Sequence, residues 1–208
     1  MKKISFSQLE SARKNPTTFA TSLRSLDAGN GRFSKYMAWQ CAIFYYHKQK
    51  GDLSKAITYF ETTFQRNFKD NPKNEIERKG YVEQLIAYAA DEQKNKLTYL
   101  EHKKRISIPL TSKLRLGGEL PLIKMNDKYG YSVYFLSRKS ATWETELRFP
   151  IVQNFVARTL YNVDLSEVEV GVYGLDFKKH VQQTYSASDI GDAVKELQSV
   201  GNAISLAL

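Results

Sequence analysis

The chain has 208 residues, 42% hydrophobic and 25% charged, with 31 basic and 22 acidic side chains giving a net charge of +9. This is the composition of a globular chain long enough to bury a core, and it excludes a disordered polyampholyte. One cysteine, Cys41, excludes an intramolecular disulfide and a cysteine-based zinc cluster, while the lack of a membrane-length apolar stretch points to a soluble cytoplasmic protein.

The opening residues Met1 to Phe6 carry two lysines with no apolar signal core behind them. Ser7 is a candidate helix cap, with Glu10 three residues later to complete a capping box. That helix should stop at Asn15-Pro16, because a residue before proline avoids helical geometry. Asp27 to Arg32, with two glycines, reads as a loop. Residues 34–49 hold Tyr36, Trp39, Phe44, Tyr45 and Tyr46 and predict a buried helix. Asp52 opens another, with Leu53, Ala56, Ile57, Phe60, Phe64 and Phe68 at helical spacing. A long helix is expected over 75–97, with Val82, Leu85, Ile86 and Ala89 on one face.

The period then shortens. Ile106, Ile108 and Leu110 alternate with polar residues, as do Leu114 and Leu116, and Gly117-Gly118 marks a turn or a close backbone approach. Strands follow over 120–124 and 131–136, joined by a turn around Asn126 to Gly130. Residues 149–161 return to helical spacing, Val168, Val170 and Val172 form a last strand, and a final helix starts near Ser188. The fold class is therefore α/β (α+β-like): one domain over 1–208 with a mixed sheet of about four or five strands flanked by helices. Residues 1–100 form its mainly helical part and 101–208 its sheet-bearing core.

Charge is unevenly spread along this order. Residues 1–93 carry 15 basic and 10 acidic side chains, residues 94–158 carry 13 and 5, and residues 159–208 carry 3 and 7. The cationic middle third suits a phosphate backbone, or equally an acidic protein surface.

Several phrases of the chain resemble the RecB-type branch of the PD-(D/E)XK nuclease superfamily. Ser5-Phe6-Ser7 and then Asn15-Pro16-Thr17-Thr18-Phe19 are similar to its N-terminal phrase. Glu101 stands where a glutamate precedes the first core strand. Gly118-Glu119-Leu120-Pro121 resembles its Gly-x-x-Asp strand, Ser137-Arg138-Lys139-Ser140 its Asp-x-Lys, and Gln153 the glutamine of the following helix. The order and spacing of these phrases, over roughly residues 4–200, carry the resemblance. It implies a helix, a hairpin bearing the acids, a helix and a further strand.

The two metal-binding acids of the active family are replaced here by Pro121 and Ser137, and neither residue can stand in for a carboxylate on a hard cation. The expectation is a catalytically silent protein with no cofactor and no metal. It would serve as a DNA-binding or assembly subunit of a DNA-processing complex, in phage replication and recombination or bacterial anti-phage defence. Lys103, Lys104, Arg105, Lys124, Arg138 and Lys139 are its candidate nucleic-acid contacts, binding DNA without sequence preference. Protein partners supplying nuclease or ATPase activity are implied, and no membrane.

Two alternatives stand beside it. The first is an active Mg²⁺-dependent nuclease with migrated acids. Residues two apart in a strand share a face, so Glu119 would stand in for position 121 and join Glu101 as metal ligands, with Lys139 and Gln153 completing the catalytic set. The second is a pure interaction module docking on an acidic partner, which the apolar end Ile204 to Leu208 favours. His47, His102 and His180 are scattered in sequence and read as surface or core residues.

Overall fold

The computed structural model describes residues 1–25, 33–126, 130–138 and 142–208. In chain order it has β1 (Lys2–Ser5), α1 (Phe6–Lys14), α2 (Pro16–Ser25), α3 (Lys35–Lys48), α4 (Leu53–Asn67) and α5 (Pro72–Asn95). There follow β2 (Thr98–Pro109), β3 (Leu114–Asn126), β4 (Gly130–Ser137), α6 (Arg148–Phe155), β5 (Val168–Gly174), β6 (Lys179–Gln183) and α7 (Ala187–Ala207).

The helix starts follow elementary capping chemistry. Ser34, Asp52 and Asn71 each accept a backbone N–H three residues on, at 3.1, 3.0 and 2.9 Å, and so fix the first turns of α3, α4 and α5. Pro72 adds a pre-set first residue to α5. At α1 the cap is Ser5 and not Ser7, with the Ser5 N–H donating to Gln8 Oε1 at 2.9 Å. Asn15 ends α1, and its side chain caps α2 by accepting from the Thr18 N–H, so the predicted break at Asn15-Pro16 is a sharp corner between two helices. Beyond α6 the chain widens into a π-helical turn over Val156–Tyr161, closed by Asn162 at φ +53°.

The six strands form one mixed sheet. β2 runs antiparallel along one edge of β3 for nearly its whole length. The other edge of β3 is shared: β1 pairs with it in parallel over Leu114–Gly117, and β4 pairs antiparallel over Leu122–Asn126. β5 lies parallel to β4 after the crossover through α6, and β6 pairs antiparallel with β5. Helices cover both faces. On one face, α1, α2, α6 and α7 enclose a core that includes Ile4, Leu9, Leu116, Val133, Phe149, Val170 and Ile204. On the other, α3, α4 and α5 enclose Trp39, Phe60, Leu85, Tyr88, Leu122, Tyr134 and Tyr173.

The mixed sheet flanked by helices agrees with the sequence reading, with two strands more than were marked. β1 and β6 are only four and five residues long, too short for alternation to register. The division at residue 100 does not follow the layers. Residues 2–23 pack with the C-terminal half, because β1 enters the sheet and α1 and α2 lie against α7 and β3. The glycine pair is a close approach and not a turn. β3 runs straight through it, and a Cβ on Gly118 would lie 2.2 Å from Phe6 Cδ2.

β3 contains one further irregularity. Leu114, Leu116 and Leu120 face the first core, whereas Leu122 faces the second and Ile123 the first. The alternation therefore reverses at Pro121. The pairs Lys104↔Leu120 and His102↔Leu122 flank that proline, and Lys103 between them has φ +55°. Proline has no N–H for the ladder, and a lysine in the left-handed region departs from extended geometry, so both strands bend here.

Candidate nucleic-acid interface and buried charge cluster

The reversal at Pro121 decides the fate of the migrated carboxylates. Glu119 lies before it, exposed on the outer surface and paired in register with Arg105. Glu101 pairs with Ile123, four residues further along β3. At the strand rise of about 3.3 Å per residue this separates the two acids by roughly 13 Å, well outside the reach of one ion at 2.0–2.6 Å ligand distances. The Glu101 carboxylate is already engaged, accepting from Tyr161 Oη at 3.1 Å and meeting Lys104 Nζ at 3.3 Å. Glu101 and Glu119 therefore do not fit a Mg²⁺ site, and among the described residues no group of three or more His, Cys, Asp or Glu side chains does.

Gln153 is a structural residue. It is fully buried, donates its amide to the carbonyls of Leu165 (2.9 Å) and Tyr185 (3.0 Å), and accepts the Tyr185 N–H at 2.7 Å. Those three bonds tie α6 to the segments leading into β5 and α7, and the full burial of the amide keeps it from a substrate. Lys139 lies outside the described residues.

Lys124 is also not a phosphate contact. It is 0% exposed on β3, in the second core. Its ammonium has three hydrogens and finds three acceptors: a Glu92 carboxylate oxygen, Tyr88 Oη at 3.1 Å and His180 Nε2 at 3.3 Å. The rings of Tyr88 and Tyr134 lie 5.3 and 5.1 Å from it. Burial pushes the Lys124 pKa down, while Glu92 and Asp91 oppose that shift.

The surrounding groups fix each other's tautomers. Asp91 Oδ2 accepts from His180 Nδ1 at 2.6 Å and from the His180 backbone N–H at 2.9 Å, which leaves Nε2 as the acceptor facing Lys124. Tyr88 Oη accepts from Lys124 at 3.1 Å and lies in hydrogen-bond contact with His47 Nε2 at 2.6 Å. Burial together with the nearby Lys124 charge keeps His47 neutral and lowers its pKa to about 2. His180 is lowered by the same two causes. Two histidines 133 positions apart thus meet through one lysine, which their scatter in sequence concealed. The cluster borders a cavity of about 380 Å³ lined by Tyr46, His47, Lys50, Glu92, Leu97 and Tyr99.

The remaining cationic candidates are at the surface. Lys103 and Arg105 are exposed on β2, and Lys103 Nζ sits 5.2 Å from the Phe44 ring centroid. Lys104 is half-buried and held by Glu101. Arg138 is exposed at the end of β4, its guanidinium 4.7 Å from the Tyr36 ring centroid. Lys3, and Arg115 of the cationic middle third, were not among the candidate contacts; parallel pairing of β1 with β3 sets them directly opposite each other.

No family model and no curated protein matches the sequence. Among solved structures, the crystal structure of SSO0001 aligns with 92% of this chain and 84% of that one, at 12% identity and a TM-score of 0.33. Among the described residues, no helix is long and apolar enough to cross a membrane.

Proposed function

We propose that this protein is a catalytically silent member of the RecB-type PD-(D/E)XK architecture that binds nucleic acid, DNA by preference, as a subunit of a larger DNA-processing complex. The observation that carries the reading is the bend at Pro121. The position that the resemblance assigns to a metal-binding acid holds an imino acid at a strand irregularity, and the carboxylates on either side, Glu101 and Glu119, are about four strand residues apart. Two further observations support it. Helix α5, the meander β2–β3–β4, helix α6 and the parallel strand β5 follow the order that the resemblance implies. Lys103, Arg105 and Arg138 remain exposed cations suited to a sequence-independent phosphate backbone.

The test incubates purified protein with single- and double-stranded DNA, with and without Mg²⁺ or Mn²⁺, and measures binding and cleavage together. Salt-sensitive binding without cleavage is expected. Metal-dependent cleavage abolished by Glu101→Ala or Glu119→Ala would overturn the silent reading, and absence of binding even at low salt would overturn the nucleic-acid reading.

A further inference from the structure

Among the described residues, the half of the sheet before Pro121 has one face without a helix on it. Leu114, Leu116 and Leu120 point into the first core, so Arg115, Gly117 and Glu119 point the other way, where α3–α5 do not reach. Their register partners are Lys3 and Ser5 on β1, and Pro109, Ser107 and Arg105 on β2. This face forms a cavity of about 420 Å³ lined by Lys3, Arg105, Ser107, Arg115, the two glycines and Glu119.

Two features make the face a track rather than a scatter of charge. The first is its floor. A Cβ on Gly117 would stand 2.7 Å from Lys3 Cε, so the absence of a side chain lets the lysine stem lie over β3. The second is that its cations are uncommitted. Arg13, Lys35, Arg78, Lys104, Lys124 and Arg148 are all engaged by carboxylates. Lys3, Arg105 and Arg115 enter no ion pair among the described residues. Arg115 pairs with Pro109 and Arg105 with Glu119, so the backbone positions of the two arginines are four residues apart, roughly 13 Å, along the strands. Lys103 continues the line along β2. Glu119 is the one carboxylate lining the cavity, at its Arg105 end.

We propose that this uncovered β1–β3–β2 face is the phosphate track of the nucleic-acid site, with Lys3, Arg105 and Arg115 each taking a backbone phosphate. The proposal rests on the nucleic-acid reading above and assigns it a surface. Separated cations over a side-chain-free floor fit a chain of evenly spaced anions. The guanidiniums can hold phosphate oxygens bidentately, and the lysine acts as a point charge between them. Ser107 adds a hydroxyl donor on the same face.

The test measures anisotropy of fluorescein-labelled 30-nucleotide DNA, single- and double-stranded, against the full chain over a series of NaCl concentrations. The variants are Lys3→Glu/Arg105→Glu/Arg115→Glu and the charge-removing Lys3→Met/Arg105→Gln/Arg115→Gln, the second guarding against repulsion that disturbs β1. A control, Lys69→Glu/Lys73→Glu, lies on exposed residues of the α4–α5 corner. Three lost phosphate contacts should lower the slope of log K against log salt by about 3 and weaken binding at least about tenfold, with the control unchanged. Binding that persists at full strength in both triple variants but is lost in Lys103→Glu/Arg138→Glu would overturn the track while leaving nucleic-acid binding standing. Failure of the unaltered protein to bind either DNA in low salt would remove the underlying reading, and the track with it.

Discussion

Replacing Lys124 with methionine removes the charge at the centre of the second core while keeping nearly the same stem. In the native protein three acceptors, on Glu92, Tyr88 and His180, converge on its ammonium, and Glu92 is itself 8% exposed. Without the ammonium, that carboxylate stays buried with no permanent positive partner. Breaking one side of a buried pair costs about 3–5 kcal/mol, whereas replacing both partners by apolar or neutral groups is often near neutral. Lys124→Met should therefore lose about 3–5 kcal/mol at pH 8, and Lys124→Met/Glu92→Gln should recover most of it, giving a coupling energy of at least about 2 kcal/mol. The loss should also depend on pH. In the variant, His180 faces Asp91 Oδ2 at 2.6 Å and Glu92 Oε1 at 3.1 Å, together with the rings of Tyr88, Tyr134 and Tyr173, and no cation. Its folded pKa then rises relative to the native protein, because the Lys124 charge that helped to lower it is gone, although burial still opposes protonation. A histidine whose folded pKa is less depressed loses less stability as pH falls through the unfolded value. The deficit relative to the native protein should accordingly be smaller at pH 5.5 than at pH 8. Urea unfolding of the four members of the cycle at both pH values measures this. A deficit below about 1 kcal/mol at pH 8, or a coupling energy near zero, would refute the account of Lys124 as the charge that the cluster is built around.

The native protein should itself weaken in acid. His47, His102 and His180 all have lowered pKa values, so the unfolded chain binds protons that the folded one refuses, and the urea midpoint should fall as pH drops below about 6.5; a flat midpoint from pH 7.5 to 5 would contradict the buried neutral imidazoles. Gly118→Ala should cost about 1–3 kcal/mol through collision with Phe6, and Phe6→Leu in the same chain should return part of that loss, read from thermal melts of the single and double variants. Gln153→Ala leaves three partly buried backbone groups without their partner, at about 1–3 kcal/mol for each group that water cannot reach; a melting temperature unchanged to within a degree would show that the amide ties nothing.

The elements with long periodic signals were legible: α3, α4, the hairpin of β3 and β4, β5 and α7 fall where spacing puts them, while α5, expected over 75–97, starts at Pro72 behind the Asn71 cap. What escaped reading had physical causes. Period-2 logic assigned Glu119 and position 121 to one face, but the bend opposite Lys103 breaks that rule within a single residue. Lys124 looked like surface because lysine usually is, and its burial depends on Glu92 and His180 arriving from two other elements. Lys3 and Arg115 were unremarkable until β1 was known to pair with β3. The cation-rich middle third was visible as composition, but which of its members face one another is a property of register, and register comes from strand pairing rather than from sequence spacing.

The parallel pairing of β1 with β3 also orders events during synthesis. Lys2–Ser5 leave the ribosome about 110 residues before Leu114–Gly117, the strand segment against which they pair. The first core is closed on one side by residues 4–23 and on the other by α7, which follows every other element of that core in the chain. The second core needs only the stretch from α3 to β6. Contacts between distant segments form late because the intervening loop must first be closed. The α3–α5 face of the sheet can therefore consolidate while the N-terminal helices are still waiting for their partners, and the apolar stripe of Ile4, Phe6 and Leu9 is the surface that a nascent-chain chaperone would find uncovered in the interval.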